Sequence, residues 1–151
     1  MTPMTDTKPT EITLSREIAA PVSRVWALWT DPARVTQWFG LKGSEALSAG
    51  WDVRPGGAWH LESRLDGGQR MRIEGIFTAV EPGKRLVKSW WSVGPDGARG
   101  NETEVEIRFE PGPAGCRVTV IHRGIRHTPE LFEAGWSHTL DVVSCQLSGK
   151  F

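Results

Sequence analysis

Along residues 130–147, apolar side chains return at intervals of three and four: Phe132, Trp136, Leu140 with Thr139 beside it, Val143 and Leu147. That is the period of an α-helix with one buried side. Thr128 and Pro129 ahead of it suit an N-cap and a first helical turn. Upstream, the dominant period falls to two. Residues 11–19 alternate as a strand with Ile12, Leu14 and Ile18 on one side, and Arg16 falls on that side as well. Either a bulge rotates Arg16 outward or it points toward the interior; the second reading is adopted. Pro21 opens a short helix with Val22, Val25, Trp26 and Trp29 as its apolar members. Asp31-Pro32 starts a second, carrying Val35, Trp38 and Phe39 and ending at Gly40.

After Leu41 the pattern predicts strands at 51–54, 58–65, 70–80, 85–91, 103–110 and from Cys116 to His122, separated by turn residues such as Pro55-Gly56-Gly57 and Asp66-Gly67-Gly68. The stretch 103–110 has Val105, Ile107 and Phe109 inward against Glu104, Glu106, Arg108 and Glu110 outward, a strand with one wet face. Consecutive strands joined by short turns pair antiparallel. The fold class is therefore α+β. A sheet of about seven strands exceeds the usual mode and curls, and the last helix lays its apolar stripe in the hollow side. Residues 1–10 read as a disordered leader and 11–151 as a single domain.

Composition narrows the function. Lys plus Arg and Asp plus Glu both number 18 in 151 residues, and the basic residues are scattered, which argues against nucleic acid. No apolar run approaches the roughly 18 residues that span a bilayer, and no signal-peptide pattern opens the chain, so a cytoplasmic location is expected. Cys116 and Cys145 are expected to be buried thiols rather than a disulfide. The unusual feature is eight tryptophans with five phenylalanines and no tyrosine. They could build a thick core, a lined pocket, or both.

Several motifs together point to a family. Arg16-Glu17-Ile18-Ala19-Ala20-Pro21 with Val25-Trp26 and Thr30-Asp31-Pro32 resembles the opening of the activator-of-heat-shock-protein-ATPase-like family, within the START and birch-pollen-allergen-like (SRPBCC) superfamily. The resemblance continues through Gln37-Trp38-Phe39-Gly40, residues 52–59, Glu74-Gly75-Ile76-Phe77, Glu81-Pro82, Arg85-Leu86-Val87, residues 118–122, and Gly135-Trp136 with Leu140. It implies the helix-grip fold, a curved antiparallel sheet wrapped around a long C-terminal helix in the order β-α-α-β6-α. It also implies binding of small hydrophobic ligands, with chaperone contact and cyclase or dehydratase chemistry known elsewhere in the group.

The ligand-binding candidates are the inward residues of strands and helix. Trp59, Leu61 and Ser63 share one face, as do Met71, Ile73, Gly75 and Phe77. Phe132, Trp136 and Leu140 meet them from the helix, Trp38 and Phe39 close one end, and His122 sits on the apolar side near its strand's end. Any one of them is more often plain core, while for the set some open volume is expected. Gly135, mid-helix, costs about 1 kcal/mol relative to Ala and implies a compensating gain. The histidines (His60, His122, His127 and His138, the last read as exposed) have no zinc spacing, so neither metal nor other cofactor is expected. Glu74 is read as facing outward, and no nucleophile motif or paired-carboxylate signature is present. Three classes remain open: a binder of a small hydrophobic or aromatic ligand, which is favoured; a protein-interaction module with a chaperone as partner; and an enzyme using His122 or a cavity carboxylate. Monomer and homodimer both remain open.

Overall fold

The computed structural model describes residues 9–31, 33–34, 45–65, 67–94 and 96–148. The elements are β1 (Thr10–Ile18), α1 (Val22–Thr30), β2 (Glu45–Trp51), β3 (Ala58–Arg64), β4 (Arg70–Glu81), β5 (Arg85–Val93), β6 (Thr103–Gly112), β7 (Gly115–Ile125) and α2 (Pro129–Ser148). The seven strands form one antiparallel sheet in the order β1-β7-β6-β5-β4-β3-β2. Hairpins join β2 through β7 in sequence. The first strand crosses the whole sheet to pair with the last, so the two edges are β1 and β2. This is the curved helix-grip arrangement that the periodicity and the resemblance predicted. The second short helix falls mostly on Pro32 and residues 35–40, and therefore outside the described residues, as do Trp38 and Phe39.

Alternation puts Leu86, Lys88, Trp90, Val105, Ile107, Phe109, Cys116, Val118, Val120 and His122 on the same side of the sheet. All are buried. On α2, Trp136, Thr139, Leu140, Val143 and Leu147 are buried and Phe132 half-buried, as the three-four spacing required. The shorter α1 covers one end of the same face, where Trp26 and Trp29 meet the ring of Phe109 edge-on at 5.3 and 5.8 Å between centroids.

Three expectations need correction. The strand expected at 51–54 lies upstream, in β2, and the chain turns immediately after Trp51. Arg54 N–H bonds Asp52 C=O, Gly57 N–H bonds Arg54 C=O, and Gly56 has φ 85°. A Cβ at Gly57 would stand 2.0 Å from the Asp52 carbonyl oxygen, so this turn admits only glycine there. Cys145 is exposed and Cys116 alone is buried, and the two form no disulfide. His138 is half-buried rather than exposed. In addition, Thr128 has φ 50°, outside the extended geometry an N-cap takes.

The pairing of β1 with β7 is regular from Ile12 to Ile18, so no bulge turns Arg16 outward. It faces α2, where its Nη1 bonds Asp141 at 2.6 Å and its Nη2 reaches the Ser137 hydroxyl at 3.4 Å. Edge-strand position leaves its side chain about one-third exposed (34%), so the charge keeps contact with water. The outer face of the sheet is held differently. Glu106 is buried there, beside Val87 and Ile121, and receives hydrogen bonds from Arg85, Arg108 and Arg123 at 2.7–2.9 Å. Burial alone would raise its pKa, but the three guanidinium bonds win and hold it at about 2.

Gly75, at the middle of β4, is crossed by a side chain from the neighbouring strand. The Trp59 indole crosses it to donate to the Ser89 carbonyl at 3.0 Å. A Cβ at position 75 would lie 1.9 Å from that same oxygen and 2.7 Å from the indole nitrogen. Gly75→Ala is expected to destabilise the fold by about 2–3 kcal/mol, in the upper range of overpacking effects. The midpoint of urea unfolding measures it; an unchanged midpoint would mean that the strands can part there freely.

Candidate functional site

Beneath the first half of α2 lies a cavity of about 210 Å³. Leu61 of β3, Met71 and Ile73 of β4, and Trp90 and Ser92 of β5 form its sheet side, and Thr128, Leu131, Phe132, Gly135, Trp136 and Thr139 its helix side. The helix residues are spaced by three and four, so they are one stripe aimed at one place. Gly135 sits in the middle of that stripe. With no side chain, Gly135 lines the cavity through its backbone. The only polar side chains among the described lining residues are the hydroxyls of Ser92, Thr128 and Thr139.

His122 fixes the wall of this cavity from behind. Its ring is buried, and Trp136 Nε1 donates to its Nδ1 at 3.1 Å. An indole N–H can only donate, so Nδ1 is the acceptor and the neutral imidazole carries its hydrogen on Nε2. That hydrogen goes to Thr103 Oγ1 at 2.7 Å, and the Thr103 hydroxyl donates to the Trp90 carbonyl at 3.0 Å. Three directed bonds thus run from the helix, through β7 and β6, to β5. The rings close up around them: Trp90 lies 5.2 Å from His122 and 5.7 Å from Trp136, and His122 lies 4.7 Å from Phe132. Burial, with the nearby Lys88 charge second, pushes the His122 pKa down to about 3. Protonation would also remove the acceptor that the Trp136 indole needs.

Lys88 is the feature that sequence reading missed. It is 1% exposed, on the helix side of the sheet. Its Nζ lies 4.1 Å from the Trp59 ring centroid and 4.2 Å from that of Trp51, with Phe77 and Trp90 each at 5.8 Å. Desolvation drives its pKa well below the ordinary lysine value. Parity could have found it, because Leu86, Lys88 and Trp90 alternate. The signal was blurred by Val87 and Trp91, which make the other face of β5 apolar too.

The candidates from sequence therefore separate. Leu61, Met71, Ile73, Phe132 and Trp136 converge on the cavity. Trp59 and Phe77 belong to the box around Lys88. His122 stands behind the wall, and Leu140 packs in the core along the helix. Trp90, Ser92, Thr128, Leu131 and Thr139 also line the cavity and were not singled out as lining.

Comparisons agree with this architecture. The profile of the family described as Activator of Hsp90 ATPase homolog 1-like protein matches residues 19–143. The crystal structure of the AHSA1 protein from Silicibacter pomeroyi is 26% identical, with a TM-score of 0.84 over 94% of this chain and 100% of that one. A Chromobacterium violaceum protein, 23% identical, has a TM-score of 0.80 over 91% and 96%. One from Nitrosomonas europaea, 24% identical, has 0.77 over 93% and 97%. These last two show the fold alone. None of the curated proteins compared matches the chain.

The two buried bases give measurable consequences. His122 titrates near 6.5 when unfolded and about 3 when folded, so its contribution is complete above pH 6.5 and is lost as pH falls toward 3. Unfolding free energy is expected to drop through this window by up to about 1.4 kcal/mol per pH unit. Denaturant titrations of His122→Gln between pH 7 and 5 should show a shallower slope; an identical slope would contradict the assignment. Lys88, with its folded value lowered below 10.5, loses stability as pH falls beneath that unfolded value. Lys88→Met should therefore stabilise the protein at pH 7 by about 1–4 kcal/mol, with a smaller gain at pH 10. A destabilised Lys88→Met at pH 7 would show that the ammonium is a net support.

Proposed function

Because the chain belongs to the Activator of Hsp90 ATPase homolog 1-like family, we propose that it binds a small hydrophobic or aromatic ligand between α2 and the sheet. The observation that supports this reading is the cavity left open opposite Gly135, apolar on nearly every side. Cavities of about 150 Å³ hold benzene, and drug-sized ligands occupy about 300–1,000 Å³. At about 210 Å³ the guest is a molecule of one or two rings, or an alkyl chain of similar bulk. Burying about 200 Å² of apolar surface is worth about 5 kcal/mol, equivalent by itself to about 0.2 mM, and association costs weaken this into the millimolar range. The hydroxyls of Ser92, Thr128 and Thr139 would orient a neutral polar group of the guest.

The other two classes have less support. An interaction module calls for a broad exposed apolar patch. Among the described residues the exposed large hydrophobics are Leu131, on α2, and Ile76, on the outer face of β4. They lie on opposite layers and form no single patch. An enzyme using His122 as a base would need one of its ring nitrogens at the cavity, and both are engaged with Trp136 and Thr103.

Tryptophans in the wall make the test direct. Titration with benzyl alcohol, indole, hexanol and short fatty acids should quench or shift the intrinsic fluorescence with a saturating curve for at least one of them. Gly135→Leu, which fills the hollow, is expected to lower that affinity by at least about tenfold, or about 1.4 kcal/mol, while circular dichroism stays unchanged. A flat response to the whole panel, or undiminished binding by a folded Gly135→Leu, would contradict the reading.

A further inference from the structure

Three hydroxyls stand in the wall of the cavity, and their surroundings differ. Ser92 and Thr128 are exposed residues, open to bulk water. Thr139 is only 3% exposed. A threonine in a helix often returns its hydroxyl to the carbonyl four residues earlier, as Thr30 does to the Trp26 carbonyl at 2.8 Å. Thr139 makes no such bond, and its hydroxyl has no hydrogen-bond partner among the described residues. A buried hydroxyl left unpaired is costly, and valine would fill the same shape without that cost. Exposure also falls along the lining stripe of α2: Thr128 and Leu131 are exposed, Phe132 and Gly135 half-buried, Trp136 and Thr139 buried. The unpaired hydroxyl thus marks the buried end of the stripe. No described lining residue carries a charged side chain, so an ionised guest would shed its hydration with nothing to replace it.

We propose that Thr139 selects neutral guests bearing one terminal hydroxyl or carbonyl group, held with that polar end against Thr139 and the apolar body toward Leu131. The proposal rests on the ligand-binding reading and names the guest's class. The Thr139 hydroxyl donates to a guest carbonyl, or both donates to and accepts from a guest hydroxyl. A purely apolar guest of the same bulk leaves the hydroxyl unpaired, and a carboxylate of that bulk is left without a compensating charge. A site with a buried polar group discriminates well against analogues that cannot pair with it.

The experiment titrates the full chain with benzyl alcohol, toluene and benzoate at neutral pH, followed by tryptophan fluorescence, in the wild type and in Thr139→Val and Thr139→Ser. Thr139→Val should weaken benzyl alcohol by about three- to tenfold, the worth of one neutral hydrogen bond, and leave toluene as tight or tighter. Thr139→Ser keeps the hydroxyl and should keep the wild-type ratio of the two guests. If Thr139→Val does not fold, Thr139→Ala is read in the same way. A purely structural role for Thr139 moves both guests together, so parallel shifts, or no shift in either, overturn the proposal. Benzoate should bind the wild type at least about tenfold more weakly than benzyl alcohol; equal binding also overturns it. Saturating titrations whose ratio ignores Thr139 remove this selection and leave the ligand site standing, whereas flat wild-type titrations with both neutral guests remove the ligand site as well.

Discussion

A tryptophan N–H buried in a protein interior must find an acceptor, and here the acceptor is the imidazole of His122. That single requirement sets the height of α2 above the sheet. Trp136 is tethered to a ring on β7, and the first half of α2 faces β3, β4 and β5 across the cavity. The His122 ring is itself held by Thr103 on β6, and Thr103 by the backbone of β5. Every member of the chain is satisfied, so each fixes the next. Gly135, one residue before the tethered tryptophan, then leaves a space that nothing on the helix fills. The cavity adjoins this hydrogen-bond network, with Trp136 and Gly135 both in its wall.

A hollow survives only if both of its walls are stiff. On the sheet's outer face, Glu106 gathers Arg85, Arg108 and Arg123 from three adjacent strands around one buried carboxylate. The three guanidinium bonds compensate the buried carboxylate and tie the three strands together on that face. On the helix side, Arg16 fastens the middle of α2 to the edge strand through Asp141 and Ser137. The helix is therefore pinned at two places, to β1 and to β7. The half carrying Leu131 and Phe132 lies beyond these pins, where Thr128 leads into it with a left-handed backbone.

Much of this was legible in the sequence. The helix period fixed which face of α2 is buried, and alternation in β6 and β7 placed Val105, Ile107, Phe109, Val118, Val120 and His122 together. Arg16 could be placed by parity alone, although its partner could not, since Asp141 lies on another element 125 residues away. Residues 51–54 misled because Trp51 and Val53 alternate like a strand, while Pro55-Gly56-Gly57 forces the turn to begin earlier than the apolar pattern suggests. Lys88 was hidden for a different reason. A strand buried on both faces has no polar side against which to read an odd residue, so a lysine between two apolar neighbours gives no direction. The separation of cavity wall from core was out of reach as well. Trp59, Phe77, Leu140 and Ile73 are all inward, and only the arrangement of whole rings decides which of them faces open space.

The account makes the concave interior chemically asymmetric. One region is an apolar hollow with three hydroxyls; the adjacent one is a tryptophan box around an amine. Trp90 stands between them and touches both the tethering histidine and the tethered tryptophan. Everything depends on the hollow being present in the resting protein. Diffraction from a crystal pressurised with xenon tests this most directly, since dry apolar cavities take up the gas. The account predicts a xenon atom between Gly135 and Ile73, with α2 unmoved. A helix found settled against β4 with no xenon beneath it would contradict the account.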